Sequence, residues 1–292
     1  MSRRASFAIT FLLLVFPLFC FGEQPALVST AVMSGLRGPV QSVLTEIFIY
    51  NDKGERALGP STRTIYDRTG YETELFEFDS RGVLRRHTVY TRNGTHLVTM
   101  ETTNPVSKQR SVQSFNSAGA ITETDIYDSN GVLTAKTANG APVNTEKRSF
   151  TTTRNTDGSI STVERFRGGS TKACTVKPDG IMVVHFHSRN GDWRQVTDSN
   201  DRSLEYIEEP STGKYLRILS HYDKGGRESE TVWYDRSGKL RGETTFQYPH
   251  EDKNGNWTEQ QIWVKTNSTL AKRHQVTYRT ITYYGNPLNG ER

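Results

Sequence analysis

The sequence predicts an all-β protein, a long antiparallel meander of tandem hairpins with a period of about twelve residues, forming a curled sheet or an open barrel-like array. Three observations predict it. An aromatic residue followed by Asp or Asn, two variable positions and Gly recurs from Tyr50 onward. The runs between these signals are rich in β-branched and aromatic residues. After residue 23 there is no amphipathic helical period.

Close copies of the signal are Tyr66-Asp67-Arg68-Thr69-Gly70, Phe78-Asp79-Ser80-Arg81-Gly82, Tyr127-Asp128-Ser129-Asn130-Gly131, Tyr222-Asp223-Lys224-Gly225-Gly226 and Tyr234-Asp235-Arg236-Ser237-Gly238. Looser copies begin at Tyr50, Tyr90 and Phe115. Asp or Asn accepts hydrogen bonds from amides just ahead of it and nucleates a turn, and Gly supplies the positive φ that closes a short loop. Asp67, Gly70, Asp79, Gly82, Asp128, Gly131, Asp223, Gly226, Asp235 and Gly238 are therefore read as turn-forming. With about four loop residues removed, each strand keeps roughly eight, or about 26 Å. From Gly238 to Tyr248 the alternation places Leu240, Gly242, Thr244, Phe246 and Tyr248 on one face, packed, with the other face solvated.

The middle of the chain keeps the rhythm without the aromatic, with turns at Asp157-Gly158, Pro178-Asp179-Gly180 and Arg189-Asn190-Gly191. Thr102 to Ser107 and Ala138 to Asn144 read as longer connections within one domain. The turn spacing implies about fourteen to eighteen strands.

At the N-terminus, Arg3 and Arg4 precede an apolar run from Phe7 to Phe21, too short for a membrane span and fitting a cleavable signal peptide, residues 1–22. A lipoprotein reading of Cys20 is disfavoured by the bulky Phe19 before it. Residues 23–292 then form a single β domain, whose one cysteine, Cys174, excludes an internal disulfide. Without Arg3 and Arg4, 35 of the 37 basic residues face 32 acidic ones, a balance of +3, alternating in sign along the chain. No nucleic-acid groove and no polybasic membrane patch is expected.

The pattern resembles the YD-repeat, or Rhs-type, family, as a small exported bacterial member. Tyr234-Asp235-Arg236-Ser237-Gly238-Lys239-Leu240 matches its unit closely, and Gly-Val-Leu at 82–84 and 131–133 matches more loosely. Gly255-Asn256-Trp257-Thr258 and the later Arg279-Thr280-Ile281-Thr282-Tyr283-Tyr284 resemble the closing portion of such proteins. The resemblance implies a long antiparallel sheet that winds on itself with aromatics inward. The toxin-encapsulating role of large members does not carry over to so short a chain.

His185 and His187 flank Phe186 on one strand face, but no further ligands lie nearby, so no metal is expected. Glu72 with Glu74 and Glu228 with Glu230 share strand faces by simple alternation, and read as polar surface more readily than as an acid and base pair. The turn Asp residues lie too far apart to gather around calcium. Trp233, with strand parity opposite to Val232 and Tyr234, is expected on the less packed face. Trp257 and Trp263, six residues apart, share a face if their strand is unbroken. These three tryptophans are the candidate binding residues, since an aromatic on a sheet surface can stack on a sugar or anchor a protein. Asn93, Asn256 and Asn267 head glycosylation sequons.

The expected function is a non-enzymatic, cofactor-free, extracytoplasmic module that binds envelope polysaccharide or another protein. The alternatives are a glycan hydrolase with carboxylates drawn from distant repeats, and an assembly unit whose terminal strands pair with another copy.

Overall fold

The computed structural model describes residues 31, 34–117, 119–138, 149–166, 169–212, 215–266 and 270–285. They form β1 (Val40–Tyr50), β2 (Arg56–Tyr66), β3 (Glu72–Phe78), β4 (Leu84–Asn93), β5 (His96–Thr103) and β6 (Arg110–Phe115). Next come β7 (Ile121–Tyr127), β8 (Leu133–Ala138), β9 (Ser149–Arg154), β10 (Ile160–Arg165), β11 (Thr171–Val176), β12 (Met182–Ser188) and β13 (Gly191–Thr197). The last are β14 (Ser203–Pro210), β15 (Leu216–Tyr222), β16 (Glu228–Tyr234), β17 (Leu240–Glu251), β18 (Trp257–Thr266) and β19 (Lys272–Tyr283). These nineteen strands make one antiparallel sheet, as the repeat predicts, with one strand more than the spacing implied. Two of the connections are only two residues long, Gly94-Thr95 and Arg189-Asn190. The predicted leader, residues 1–22, and most of the expected connection from Ala138 to Asn144 lie outside the described residues.

The turns follow the expected chemistry. At Asp235 the side-chain Oδ1 accepts the amides of Ser237 at 2.9 Å and Lys239 at 3.0 Å, while the Gly238 amide donates to the Asp235 carbonyl at 3.0 Å. Gly238 sits at φ 77°, a left-handed conformation that costs a residue with a side chain extra energy. The same pattern recurs at Asp67, Asp79, Asp128 and Asp223, and also at Asp198, where Asp201 takes the left-handed place of the glycine.

Most turns headed by an aromatic and Asp or Asn also carry a bulge, whereas those at Asn155, Phe166 and Lys177 do not. The register slips by one residue beside Tyr66, Phe78, Phe115, Tyr127, Tyr222 and Tyr234, so two residues of the outgoing strand face one of the incoming strand. A bulge reverses strand parity and increases twist. This corrects three sequence readings. Leu240 pairs with Tyr234 and leaves the face of Gly242. Glu72 pairs with Tyr66 while Glu74 pairs with Ile65, and Glu228 pairs with Tyr222 while Glu230 pairs with His221, so each carboxylate couple is split between opposite faces.

β1 pairs with β2 on one side and β19 on the other, so the chain ends meet in the middle of the sheet and the edges are β8 and β9. The expectation that terminal strands are free to pair with another copy is thereby corrected. An antiparallel ring needs an even number of strands; with nineteen, β8 and β9 run in the same direction, and among the described residues they do not pair. A flat sheet of this width would hold its edges about 86 Å apart, at roughly 4.8 Å per spacing. Residues 139–148 are the connection from β8 to β9. A connection of that length reaches at most about 38 Å. The sheet therefore curls.

Register traces two faces. One carries an uncharged row through Cys174, Val184, Gln195, Tyr206, Ile218, Trp233 and Gly242, continued on the other half by Ile281, Val43, Thr64, Leu75 and Thr88. The other carries ion pairs such as Glu205 held between Arg194 and Arg217. Most strand side chains on both faces are half-buried, which marks a single layer and differs from the expected packed and solvated pair of faces. The compact core is local. Leu36, Val40, Val43, Tyr66 and Tyr283 cluster where residues 34–39 cross the β19-β1-β2 seam. The side chain of Asn256, 2% exposed, fastens that segment through the Arg37 amide at 2.7 Å and the Arg37 carbonyl at 2.9 Å.

Candidate functional site

The face of the uncharged row also holds Arg279, Glu72, Glu228 and the Glu77-Arg86 pair, and is called the uncharged face after that row. It bears an aromatic stripe. Phe186 and Trp193 are paired across the β12-β13 hairpin with ring centroids 5.7 Å apart and planes 18° from parallel. Trp193 stacks on Tyr206 at 6.5 Å, Tyr206 pairs with Ile218, and Ile218 pairs with Trp233. The stripe thus crosses five consecutive strands, β12 to β16, with every member half-buried. The Trp233 indole lies flat over Gly242 of β17, where a methyl group would occupy the ring's place. That is why glycine stands there.

At the end of the sheet where the chain enters β1, the same face gathers a second aromatic group. Tyr222 and Tyr248 each donate to a carbonyl of the neighbouring strand, Tyr222 to Ser203 and Tyr248 to Glu228, both at 2.9 Å. Arg202 and Arg227 lie over these rings at 5.0 and 4.9 Å. Each arginine is anchored to its own turn aspartate, Asp198 or Asp223. Glu72 and Glu228, turned onto this face by the bulges, sit beside Tyr66 and Tyr222. Burial pushes the Glu72 carboxyl above its ordinary value against the pull of Arg92. Burial, aided by carboxylates, pushes Tyr90 and Tyr222 up to about 12.

Between these groups stands Arg279. Its guanidinium lies 3.6 Å from the centre of the Trp257 ring, and Trp257 in turn meets Tyr248 at 5.8 Å. The Nε atom is sealed from solvent without a hydrogen-bond partner, and among the described residues Arg279 forms no ion pair. Burial holds its pKa down to about 10. The nearest carboxylate in register on this face, Glu77, stands three strands away and is already held by Arg86 through both oxygens.

The candidate tryptophans do not form one platform. A bulge between Glu259 and Trp257, and another beside Trp263, break the parity of β18. Trp257 joins Arg279 and Tyr248, whereas Trp263 pairs with Arg273 and Thr245 on the charged face. There Trp263 lines an open recess of about 450 Å³ with Tyr50, Asp52, Lys53, Lys272 and Arg273. His185 and His187 are exposed on the charged face, His187 engaged by Asp192 at 2.6 Å, and no group of three metal-ligating side chains occurs among the described residues. Asn256 is buried, so its sequon is closed in the folded protein, Asn93 is exposed, and Asn267 lies outside the described residues.

Sequence reasoning missed Arg279, Tyr66, Tyr248 and the Phe186-Trp193 pair. The pair had a signal, since the two residues stand symmetrically about Arg189-Asn190. Arg279 had none.

No protein-family model and no curated protein matches the sequence. Among solved structures, a porin-like protein from Bacteroides uniformis is similar at 12% identity and a TM-score of 0.39, over 84% of this chain and 99% of that one. A putative outer membrane lipoprotein-sorting protein domain from Vibrio parahaemolyticus is similar at 12% identity and a TM-score of 0.29, over 85% and 88%. A LolA superfamily protein from Nitrosomonas europaea is similar at 11% identity and a TM-score of 0.25, over 90% and 96%. Likeness at this level assigns no activity. Among the described residues no helix is long and apolar enough to cross a membrane.

Proposed function

We propose that the chain is an exported, non-enzymatic module of the cell envelope, a YD-repeat-like single domain of residues 23–292, that binds glycan along its uncharged face. The observation that carries the reading is the stripe Phe186, Trp193, Tyr206, Ile218 and Trp233. Half-buried rings aligned across neighbouring strands offer successive apolar faces for sugar rings, held flat by their neighbours at little further entropic cost. The leader-like N-terminus supports export.

The test is co-sedimentation of the purified mature protein with insoluble envelope polysaccharide. Wild type should pellet with the polymer, and Trp193→Ala and Trp233→Ala should each leave most of the protein in the supernatant. Wild type remaining wholly soluble refutes glycan binding.

Assembly through the sheet is favoured by one observation, the unpaired edges of β8 and β9 among the described residues. A monomeric mass by light scattering across a hundredfold concentration range would exclude it.

A further inference from the structure

We infer that Arg279 is a recognition point for an oxyanion, and specifically for the carboxylate of an acidic sugar whose ring packs against the surrounding aromatics. The inference rests on the glycan reading above and deepens it, naming charge as well as ring stacking as what the uncharged face recognises.

Arg279 is half-buried, with its Nε sealed from solvent. Arginine carries five N–H donors and stays protonated at neutral pH, so removing its donors from water without acceptors is strongly unfavourable. Folded proteins often meet that requirement with a carboxylate, and three arginines of the repeat turns show how. Arg85 bonds Asp79, Arg202 bonds Asp198 and Arg227 bonds Asp223. Arg279 departs from them, as does Arg92, whose Nε is likewise sealed without a partner but whose guanidinium reaches the Thr95 carbonyl at 3.4 Å. Arg279 has the ring contact, closer than that of Arg202 or Arg227, and no described acceptor. The face of the Trp257 ring attracts the guanidinium electrostatically. It leaves the in-plane donors unused, because a stacked guanidinium keeps its N–H groups directed away from the ring edge-on.

The surroundings select the ligand class. A planar fork fits a carboxylate through two parallel bonds. Trp257 and Tyr248 provide apolar faces beside it, and the Gln260 amide, already donating to the Tyr248 hydroxyl at 3.0 Å, fixes that ring. Glu72 and Glu228 flank the cluster at the bulges and disfavour a densely charged anion. One carboxylate on one sugar ring satisfies the arginine without crowding the two glutamates.

The test follows the tryptophan fluorescence of the full mature protein, to which Trp257 and three other tryptophans contribute, during titration with glucuronate, with glucose and with acetate as separate arms. Glucuronate should give a saturable change, glucose none, and acetate a change at least tenfold weaker. Arg279→Met should abolish the glucuronate response, and Arg279→Lys, which keeps the charge and loses the fork, should weaken it at least tenfold. Thermal melting of Arg279→Met separates recognition from structure. A charge retained for a ligand leaves the methionine variant melting at or above wild type, whereas a melt well below wild type, or glucuronate binding unchanged in that variant, overturns the inference. An equal response to glucose overturns it as well. Trp193→Ala keeps the glucuronate response if Arg279 is the anion site, so failure of the stripe in polymer sedimentation and failure of Arg279 in this titration are distinguishable outcomes.

Discussion

Replacing Gly242 by alanine should destabilise the β16-β17 hairpin, and removing the Trp233 indole should rescue part of the loss. The new methyl would fall inside the indole and 2.9 Å from the Lys265 carbonyl of β18. Overpacking of this kind costs about 2–3 kcal/mol. Trp233→Ala alone removes a half-buried ring, and half-burial puts its cost near 2 kcal/mol, below the range for fully buried tryptophan. Independent effects would sum to about 4–5 kcal/mol. Because the indole is the main obstacle, the double variant should lose only about 2–3 kcal/mol, a coupling of roughly 1.5 kcal/mol or more. Guanidinium unfolding of the four proteins, with slopes checked for constancy, reads these values. Additivity within about 0.5 kcal/mol would show that Trp233 does not rest on Gly242, and would remove the geometric basis for a stripe continuing through Trp233.

Asn256→Ala strips the Arg37 amide and carbonyl and the Tyr283 hydroxyl of a buried partner; it should cost about 2 kcal/mol or more, and hydrogen exchange should show the Arg37 amide losing protection before the β17-β18 ladder does. Stability should fall in acid through the turn carboxylates. Asp235, held down to about 2 chiefly by the Ser237 hydroxyl, and Asp79, held down to about 2 chiefly by the Arg85 guanidinium, have folded values below their unfolded ones. Their contribution is complete above about pH 4 and is lost as pH falls through about 2. Thermal melts from pH 6 to pH 2 should show this decline, and Asp79→Asn with Asp235→Asn should flatten it while the other turns retain theirs.

Much of the fold was legible because it is written locally. Aspartate accepts amides two and four residues ahead, glycine takes the left-handed position, and neither depends on distant residues. The candidate site was less legible, because the turns beside it carry bulges that reverse parity. Simple alternation therefore put Glu228 with Glu230 and Trp257 with Trp263, and the register separates both couples. Trp233 shows the limit from the other side, since its partner Gly242 could be found only after the bulge at Arg241 was known.

By itself the sequence determined the strand class, the twelve-residue period and the positions of most turns, since these follow from hydrogen bonds spanning four residues. Tertiary structure decided which face each side chain occupies, that β19 closes onto β1, that β8 and β9 are the edges, and that Arg279 meets Trp257 across β18 and β19. Those outcomes depend on register between strands and on the direction count of an odd number of strands, quantities summed along the whole chain and carried by no single segment of it.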